Sequence, residues 1–224
     1  MSLTLTGNEP GLYGYWPMDE GYGELAIDRT SGRNATINAG WSLQPGGYSW
    51  EFSGTNHIEF DGQNIVIDDE TDFTMEFWFR LPAASDTVTF FSNGRGDGTD
   101  IYGDHHSLMS IIADENGLIH ILSNGYDFQG TNSSYSDNNW HHFAFVVDRR
   151  TNAKVYIDGN PENQTLASNI SGLYGASMYF GARVSSENPI ERSFDKYLIG
   201  YMDEIRFWNN ARTNDLISTY MHTK

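Results

Sequence analysis

Residues 72–80 read DFTMEFWFR and carry the clearest secondary-structure pattern of the sequence. Met75, Phe77 and Phe79 recur at every second position, whereas Trp78 stands between two charged residues on the alternate positions. A repeat of two residues places successive side chains on opposite faces of an extended chain, and it does not match the 3.6-residue repeat of a helix. The stretch therefore predicts a β-strand over Thr74–Arg80 with one wholly apolar face.

A second strand is predicted over Trp140–Asp148, where both sets of alternate positions are largely apolar. Such a strand is covered on both faces. A polar turn follows, and Lys154–Ile157 is predicted to return as the hairpin partner. Asp158-Gly159 then marks a tight turn, because glycine readily adopts a positive φ.

The end of the chain combines a strand with a short helix. Strict alternation over Ile199–Trp208 predicts that one face carries Met202, Glu204, Arg206 and Trp208. Thr213 is a suitable N-cap for a closing helix whose apolar stripe is Leu216, Ile217 and Tyr220. Short strands separated by Gly, Asn and Asp turns favour an all-β, two-sheet antiparallel sandwich of the jelly-roll type, with a short C-terminal helix, as a single domain over residues 1–224.

The composition narrows the classes of partner that the chain is expected to bind. The chain has 13 Lys and Arg against 30 Asp and Glu, a formal net charge of −17. An acidic surface repels nucleic-acid phosphates and anionic lipid headgroups, so neither nucleic acid nor membrane insertion is expected. The chain has no cysteine, and no run approaches the ~20 apolar residues of a membrane span. We expect any export signal to lie outside this stretch.

Five segments in order resemble the laminin-G-like jelly-roll family of the concanavalin A-like lectin and glucanase superfamily. They are residues 14–35 (GYWPMDEGYG followed by AID and SGRNA), 50–59 (WEFSG and IE), 72–79, 140–159 (WHHF and VYIDG) and 200–212 (GYMDEIRFWNNAR). The resemblance implies two curved antiparallel sheets in a secreted or cell-surface protein, as one part of a larger parent chain. It does not imply one function, because members of the family bind sugars, proteins or only calcium.

A calcium site is predicted in the loop that contains Asp28 and Asn34. These two residues supply a carboxylate and an amide six positions apart around a glycine turn, and Ca²⁺ takes oxygen ligands of this kind. The resemblance implies that Asp203, in the late Met-Asp-Glu strand, completes a structural Ca²⁺ site. The alternative is that Asp28 and Asn34 only hydrogen-bond their own turn.

A ligand site is predicted among aromatic residues in polar loops. A sugar site needs an aromatic platform for C–H faces and polar groups for hydroxyls. The candidates are Tyr102, His105, Tyr126, Tyr135 and Tyr174. The alternative is that each tyrosine caps a sheet edge with its ring half buried. The tryptophans within or beside strand motifs are expected in the core, namely Trp16, Trp50, Trp78, Trp140 and Trp208.

An enzyme is the less favoured interpretation. Laminarinase-type glucanases of this fold use a Glu-x-Asp-x-x-Glu pattern, and the nearest match is residues 59–64, EFDGQN. Asn64 stands where the acid/base Glu belongs, and an amide cannot protonate a leaving group. The sequence therefore predicts a non-catalytic extracellular module that binds carbohydrate or glycoconjugate, with protein adhesion or a structural spacer as the alternatives.

Overall fold

A computed structural model describes residues 5–60, 65–83, 86–94, 109–166, 170–173, 177–187 and 192–222. In chain order its strands are β1 Leu12–Trp16, β2 Leu25–Ala26, β3 Ala35–Ile37, β4 Gly40–Gln44, β5 Gly47–Ser53, β6 Ile58–Phe60, β7 Phe73–Arg80, β8 Val88–Asn93, β9 Met109–Ala113, β10 Ile119–Ser123, β11 Tyr126–Gln129, β12 Trp140–Val147, β13 Ala153–Ile157, β14 Asn160–Leu166, β15 Met178–Phe180, β16 Arg183–Glu187, β17 Arg192–Asp195 and β18 Ile199–Trp208. One helix, α1, covers Asn214–Tyr220.

Two large antiparallel sheets form a sandwich, as the sequence predicts. The first sheet has the order β14-β13-β12-β7-β18-β5-β4, with β1 also paired to β18. The second has the order β11-β10-β9-β8-β15-β6-β3-β2, and β16 and β17 form a separate hairpin. Alternate side chains of both sheets meet in one apolar cluster that includes Phe77, Phe143, Phe180 and Phe207. This cluster is the core of the jelly roll.

Strand β7 lies in the middle of the first sheet. Phe73, Met75, Phe77 and Phe79 of β7 are all buried in the core, so the predicted apolar face is confirmed. The neighbouring strand β12 and its hairpin partner β13 also match their predicted positions. The helix begins where expected, because the Thr213 side chain accepts a hydrogen bond from the Leu216 N–H.

The predicted alternation in β18 was wrong at one point. Asp203 lies opposite Trp78 of β7 and Arg206 lies opposite Glu76, so three residue steps of β18 match two steps of β7. Glu204 has φ 56°, the backbone signature of this bulge. The extra residue lets Met202 and Ile205 both reach the core, although their odd spacing forbids this in a regular strand.

The described residues contain no helix that is long and apolar enough to cross a membrane.

Candidate functional site

The first sheet turns its second face away from the core, and this outer face has two unlike halves. One half contains the row Ala144, Glu76, Arg206 and Tyr15, together with the neighbouring residues under α1. We call it the covered half. It runs across β12, β7, β18 and β1. We call the row Trp140, Arg80, Tyr201 and Glu51 the open half. It crosses β12, β7, β18 and β5.

The covered half is a buried ion-pair network. Arg206 Nη2 donates to Glu204 Oε2 over 2.5 Å, and Arg206 Nη1 lies 3.8 Å from Glu76 Oε2. Arg212 Nε lies 3.1 Å from Glu76 Oε1. Two carboxylates and two guanidinium groups thus balance in charge, and each of these four residues is at most 5 % exposed.

The C-terminal helix closes this half. Ile217 packs with Ala144, Val146 and Tyr156 in a small apolar cluster. The Tyr220 carbonyl accepts a hydrogen bond of 2.7 Å from Arg206 Nη1. The helix therefore excludes water from the network and bonds to it directly.

Burial shifts the pKa of several groups in the covered half. Burial lowers the pKa of His142, although Glu76 acts in the opposite direction. Burial and the adjacent Glu204 carboxylate raise the pKa of Tyr15, whose hydroxyl donates to Glu204. Burial opposes the charge of Arg206, but the Glu204 and Glu76 carboxylates hold the pKa of that guanidinium above its ordinary value. These shifts favour the neutral form of His142 and the charged form of Arg206.

The open half presents aromatic rings around an arginine. The Arg80 guanidinium carbon lies 4.2 Å from the Tyr201 ring centroid and 5.9 Å from that of Trp140. Arg80 Nη1 donates to Gln44 Oε1 over 3.2 Å, and the Tyr201 hydroxyl donates to Glu51 Oε1 over 3.2 Å. Trp140, Arg80 and Tyr201 are half-buried and Glu51 is exposed. Aromatic surface, hydrogen-bond donors and a carboxylate therefore share one row, which spans about 14 Å at the usual strand spacing.

A cleft lies beside the middle of this row, where β7 ends and β18 begins. It has a volume of about 360 Å³, and Leu81, Pro82, Tyr197 and Ile199 are among its lining residues. Leu81 directly follows Arg80, and Ile199 lies two positions before Tyr201 on the same face of β18. The volume is at the lower end of the range for small-molecule sites.

A family model for the concanavalin A-like lectin and glucanase superfamily, of the third laminin-G type, matches residues 52–218. That match covers most of the chain. The chain belongs to this superfamily. A search of curated protein sequences gave no match to this concanavalin A-like domain.

Solved structures of the same architecture are similar to this concanavalin A-like domain over nearly its whole length. Domain 4 of AbnA, a GH43 extracellular arabinanase from Geobacillus stearothermophilus solved with arabinotriose, has 21 % identity and a TM-score of 0.67, covering 94 % of this chain and 98 % of that one. The binding domain of botulinum neurotoxin serotype G has 16 % identity and a TM-score of 0.64, covering 93 % and 50 %. Trypanosoma rangeli sialidase has 15 % identity and a TM-score of 0.63, covering 95 % and 33 %. At these identities the likeness shows the shared fold.

The Asp28 carboxylate is enclosed by donors of its own loop and of β1. Oδ1 accepts from the Tyr15 N–H and the Thr30 N–H, and Oδ2 accepts from the Ser31 and Arg33 N–H groups. Burial acts to raise the pKa of Asp28, but these hydrogen bonds outweigh it and leave the pKa below the ordinary value. A carboxylate offers about four lone-pair sites, and protein donors occupy them here.

The other predicted calcium ligands have hydrogen bonds of their own. Asn34 Oδ1 accepts from the Asp28 N–H over 3.2 Å, and Asp203 Oδ1 accepts from the Glu204 N–H over 2.9 Å. The described residues include no group of three or more His, Cys, Asp or Glu side chains that could hold a metal ion. The arrangement at Asp28 fits a hydrogen-bonded turn better than a cation ligand. Calcium stays a prediction, and a rise in Tm on adding calcium that is lost in Asp28→Ala would support it.

The predicted tyrosine platform is described at two positions. Tyr126 is 59 % exposed on β11, the edge strand of the second sheet. Tyr135 donates its hydroxyl to Glu162 Oε1 over 2.5 Å and packs its ring against His141. Burial and the Glu162 contact raise the pKa of Tyr135. The remaining candidates lie outside the described residues, namely Tyr102, His105 and Tyr174.

Glu59, the first residue of the glucanase-like pattern, lies in the second sheet, on the opposite side of the sandwich from the open half. Glu59 of β6 pairs with Tyr179 of β15 and with Thr36 of β3 in the second sheet. Residues 61–64 of the pattern lie outside the described part of the chain.

Sequence reasoning missed the open half because it assigned the strand tryptophans to the core. That prediction is confirmed for Trp16, Trp50 and Trp208, each at most 1 % exposed. It was wrong for Trp140 and Trp78, which are half-buried on the outer face. The sequence does indicate this, because both tryptophans occupy strand positions that alternate with core phenylalanines and so belong to the outer face.

Proposed function

We propose that this chain is a non-catalytic carbohydrate-binding module whose ligand lies across the open half of the first sheet. The single observation that carries the proposal is the row Trp140, Arg80, Tyr201 and Glu51, in which two aromatic rings and two charged groups reach the same uncovered surface. Aromatic rings offer large apolar area to the C–H faces of sugars, and precisely oriented donors and acceptors fix the hydroxyls.

The neighbouring cleft supports a ligand longer than one sugar unit. Its lining residues continue from both β7 and β18 beyond the row, and Ile199 exposes 55 % of its surface there. Arg80 and Tyr201, the two middle members of the row, lie on the strands that border this cleft. Solved structures with this fold include a domain in complex with arabinotriose, which favours a sugar ligand over other small molecules.

The absence of a carboxyl pair in the row favours binding without catalysis. Glycoside hydrolysis uses two carboxyl groups on either side of the scissile bond, about 5 to 10 Å apart. Among the described residues of the open half, Glu51 is the one exposed carboxylate, and it accepts the Tyr201 hydroxyl. We place the domain in a secreted or surface protein, where polysaccharides are the expected partners.

The proposal is tested by a glycan array followed by calorimetry on the tightest ligand. We expect Trp140→Ala and Tyr201→Ala each to weaken binding at least tenfold, which corresponds to about 1.4 kcal/mol. Tyr22→Ala is the matched control, because Tyr22 is 82 % exposed and lies outside the row. Loss of binding in Tyr126→Ala alone would move the site to the second sheet and contradict the proposal. Absence of any glycan signal would favour the adhesion or spacer alternatives.

A further inference from the structure

The Arg80 guanidinium has few partners for a half-buried charge. It carries five N–H donors, and its protein hydrogen bond is the one from Nη1 to Gln44 Oε1. Within the part of the chain that the structure describes, no carboxylate pairs with Arg80. The nearest acidic member of its row, Glu51, bonds to the Tyr201 hydroxyl instead.

This arrangement is not the result of a shortage of carboxylates. The chain has 30 acidic residues for 13 basic ones. Three other arginines have acidic partners: Arg183 contacts both oxygens of Asp195 at 2.9 Å, Arg206 contacts Glu204 and Arg212 contacts Glu76. Arg33, which has none among the described residues, donates to the Tyr13 carbonyl instead. Arg80 differs in that two aromatic rings flank it at an uncovered surface.

The chemistry of the group indicates what it would bind. A guanidinium matches a carboxylate with two parallel hydrogen bonds, and such charge-assisted bonds are shorter and stronger than neutral ones. Flanking rings keep the planar group in one orientation and shield it from water, which strengthens its attraction for an anion. The net charge of −17 disfavours a long polyanion, but salt screens that repulsion beyond about 8 Å at physiological ionic strength, and direct contact persists.

We propose that the open half selects a sugar that bears a carboxylate, with Arg80 as the residue that binds the carboxylate. This inference rests on the proposed function, because the same row binds the glycan. It adds a ligand class, an acidic sugar such as a uronic acid residue within a mostly neutral chain, and it assigns the specificity to one side chain.

The test compares one acidic glycan with its carboxyl-reduced form, in which the carboxylate becomes a primary alcohol. The probe is the tightest uronic-acid-containing oligosaccharide from the array, and binding is measured by calorimetry. We expect the reduced form to bind wild-type protein at least tenfold more weakly. Arg80→Met is expected to remove that preference, and Arg80→Lys, which retains the charge, is expected to keep part of it.

Each result has a defined meaning. Equal affinity of the acidic and reduced forms for the wild type would overturn the carboxylate selectivity, although neutral glycan binding that depends on Trp140 and Tyr201 would leave the proposed function intact. A parallel loss of affinity for both forms in Arg80→Met would make Arg80 a positioning residue for the rings. Tighter binding of a sulfated counterpart would overturn the choice of carboxylate in favour of sulfate. A wild type that binds no glycan would remove the proposed function itself.

Discussion

Two rows of side chains on the outer face of the first sheet differ in how far they are buried. Ala144, Glu76, Arg206 and Tyr15 are buried, and α1 packs on Ala144 and accepts a hydrogen bond from Arg206. Trp140, Arg80 and Tyr201 are half-buried and Glu51 is exposed. The strands β12, β7 and β18 contribute to both rows. The rows differ in the fourth strand, since β1 pairs with one end of β18 and β5 pairs with the other. The guanidinium groups of the covered half are paired with carboxylates, whereas no carboxylate among the described residues pairs with Arg80 on the open half.

The largest expected effect is a difference in unfolding free energy between variants of a buried and an exposed glutamate. Glu76→Gln leaves Arg206 and Arg212 facing an amide in a water-free site, and we expect unfolding free energy to fall by about 3 to 5 kcal/mol. Glu51→Gln on the open half is the matched control, with an expected change within about 0.5 kcal/mol. Denaturant unfolding monitored by tryptophan fluorescence measures both. Similar losses in the two variants would break the distinction between the halves.

A smaller effect is expected from the cover itself. Ile217 is fully buried against the sheet, whereas Leu216, the preceding residue of α1, is 42 % exposed. Ile217→Ala should lower stability by about 2 to 4 kcal/mol through lost burial and the cavity left behind. Leu216→Ala should change it by less than about 1 kcal/mol, because its side chain is already partly in water. Equal effects in urea titrations of the two variants would contradict the assignment of α1 as the cover.

The smallest effect concerns pH and comes from His142 in the covered half. Burial lowers its folded pKa below the unfolded value, so the unfolded chain binds the proton first. Stability is therefore full above the unfolded pKa of about 6.5 and falls as pH decreases below it, by at most about 1.4 kcal/mol per pH unit. We expect His142→Gln to show a shallower loss between pH 7 and pH 5 than the wild type. The exposed His222→Gln serves as control, and identical slopes in all three proteins would refute the prediction.

The sequence predicted the fold more fully than the site, for a physical reason. Alternation in residues 72–80 and 140–148 predicts which side chains share a face, and the burial of Phe77 and Phe143 follows from it. Alternation does not say whether the second face is covered, because that depends on where α1 packs. Trp140 is therefore predicted in the core, although it lies half-buried on the open half, at the start of β12.

The bulge in β18 was hidden for a similar reason. Its position depends on the core positions of Met202 and Ile205, which are tertiary facts that a two-residue repeat cannot show. Tyr126 and Tyr135 are both predicted as ligand contacts from their polar sequence context, but their surroundings differ. Tyr126 lies on an exposed sheet edge, whereas Tyr135 contacts Glu162. Polar context alone did not identify an aromatic surface formed by register across four strands.

Chemical-shift mapping of the isotope-labelled protein with the tightest array glycan shows directly whether the ligand lies on the open half. We expect the Trp140 indole N–H and the backbone amides of Arg80, Tyr201 and Glu51 to shift on titration. The Trp208 indole, which is buried in the covered half, is expected not to shift. Perturbations confined to the second sheet around Tyr126, with the Trp140 indole unmoved at saturation, would contradict the account.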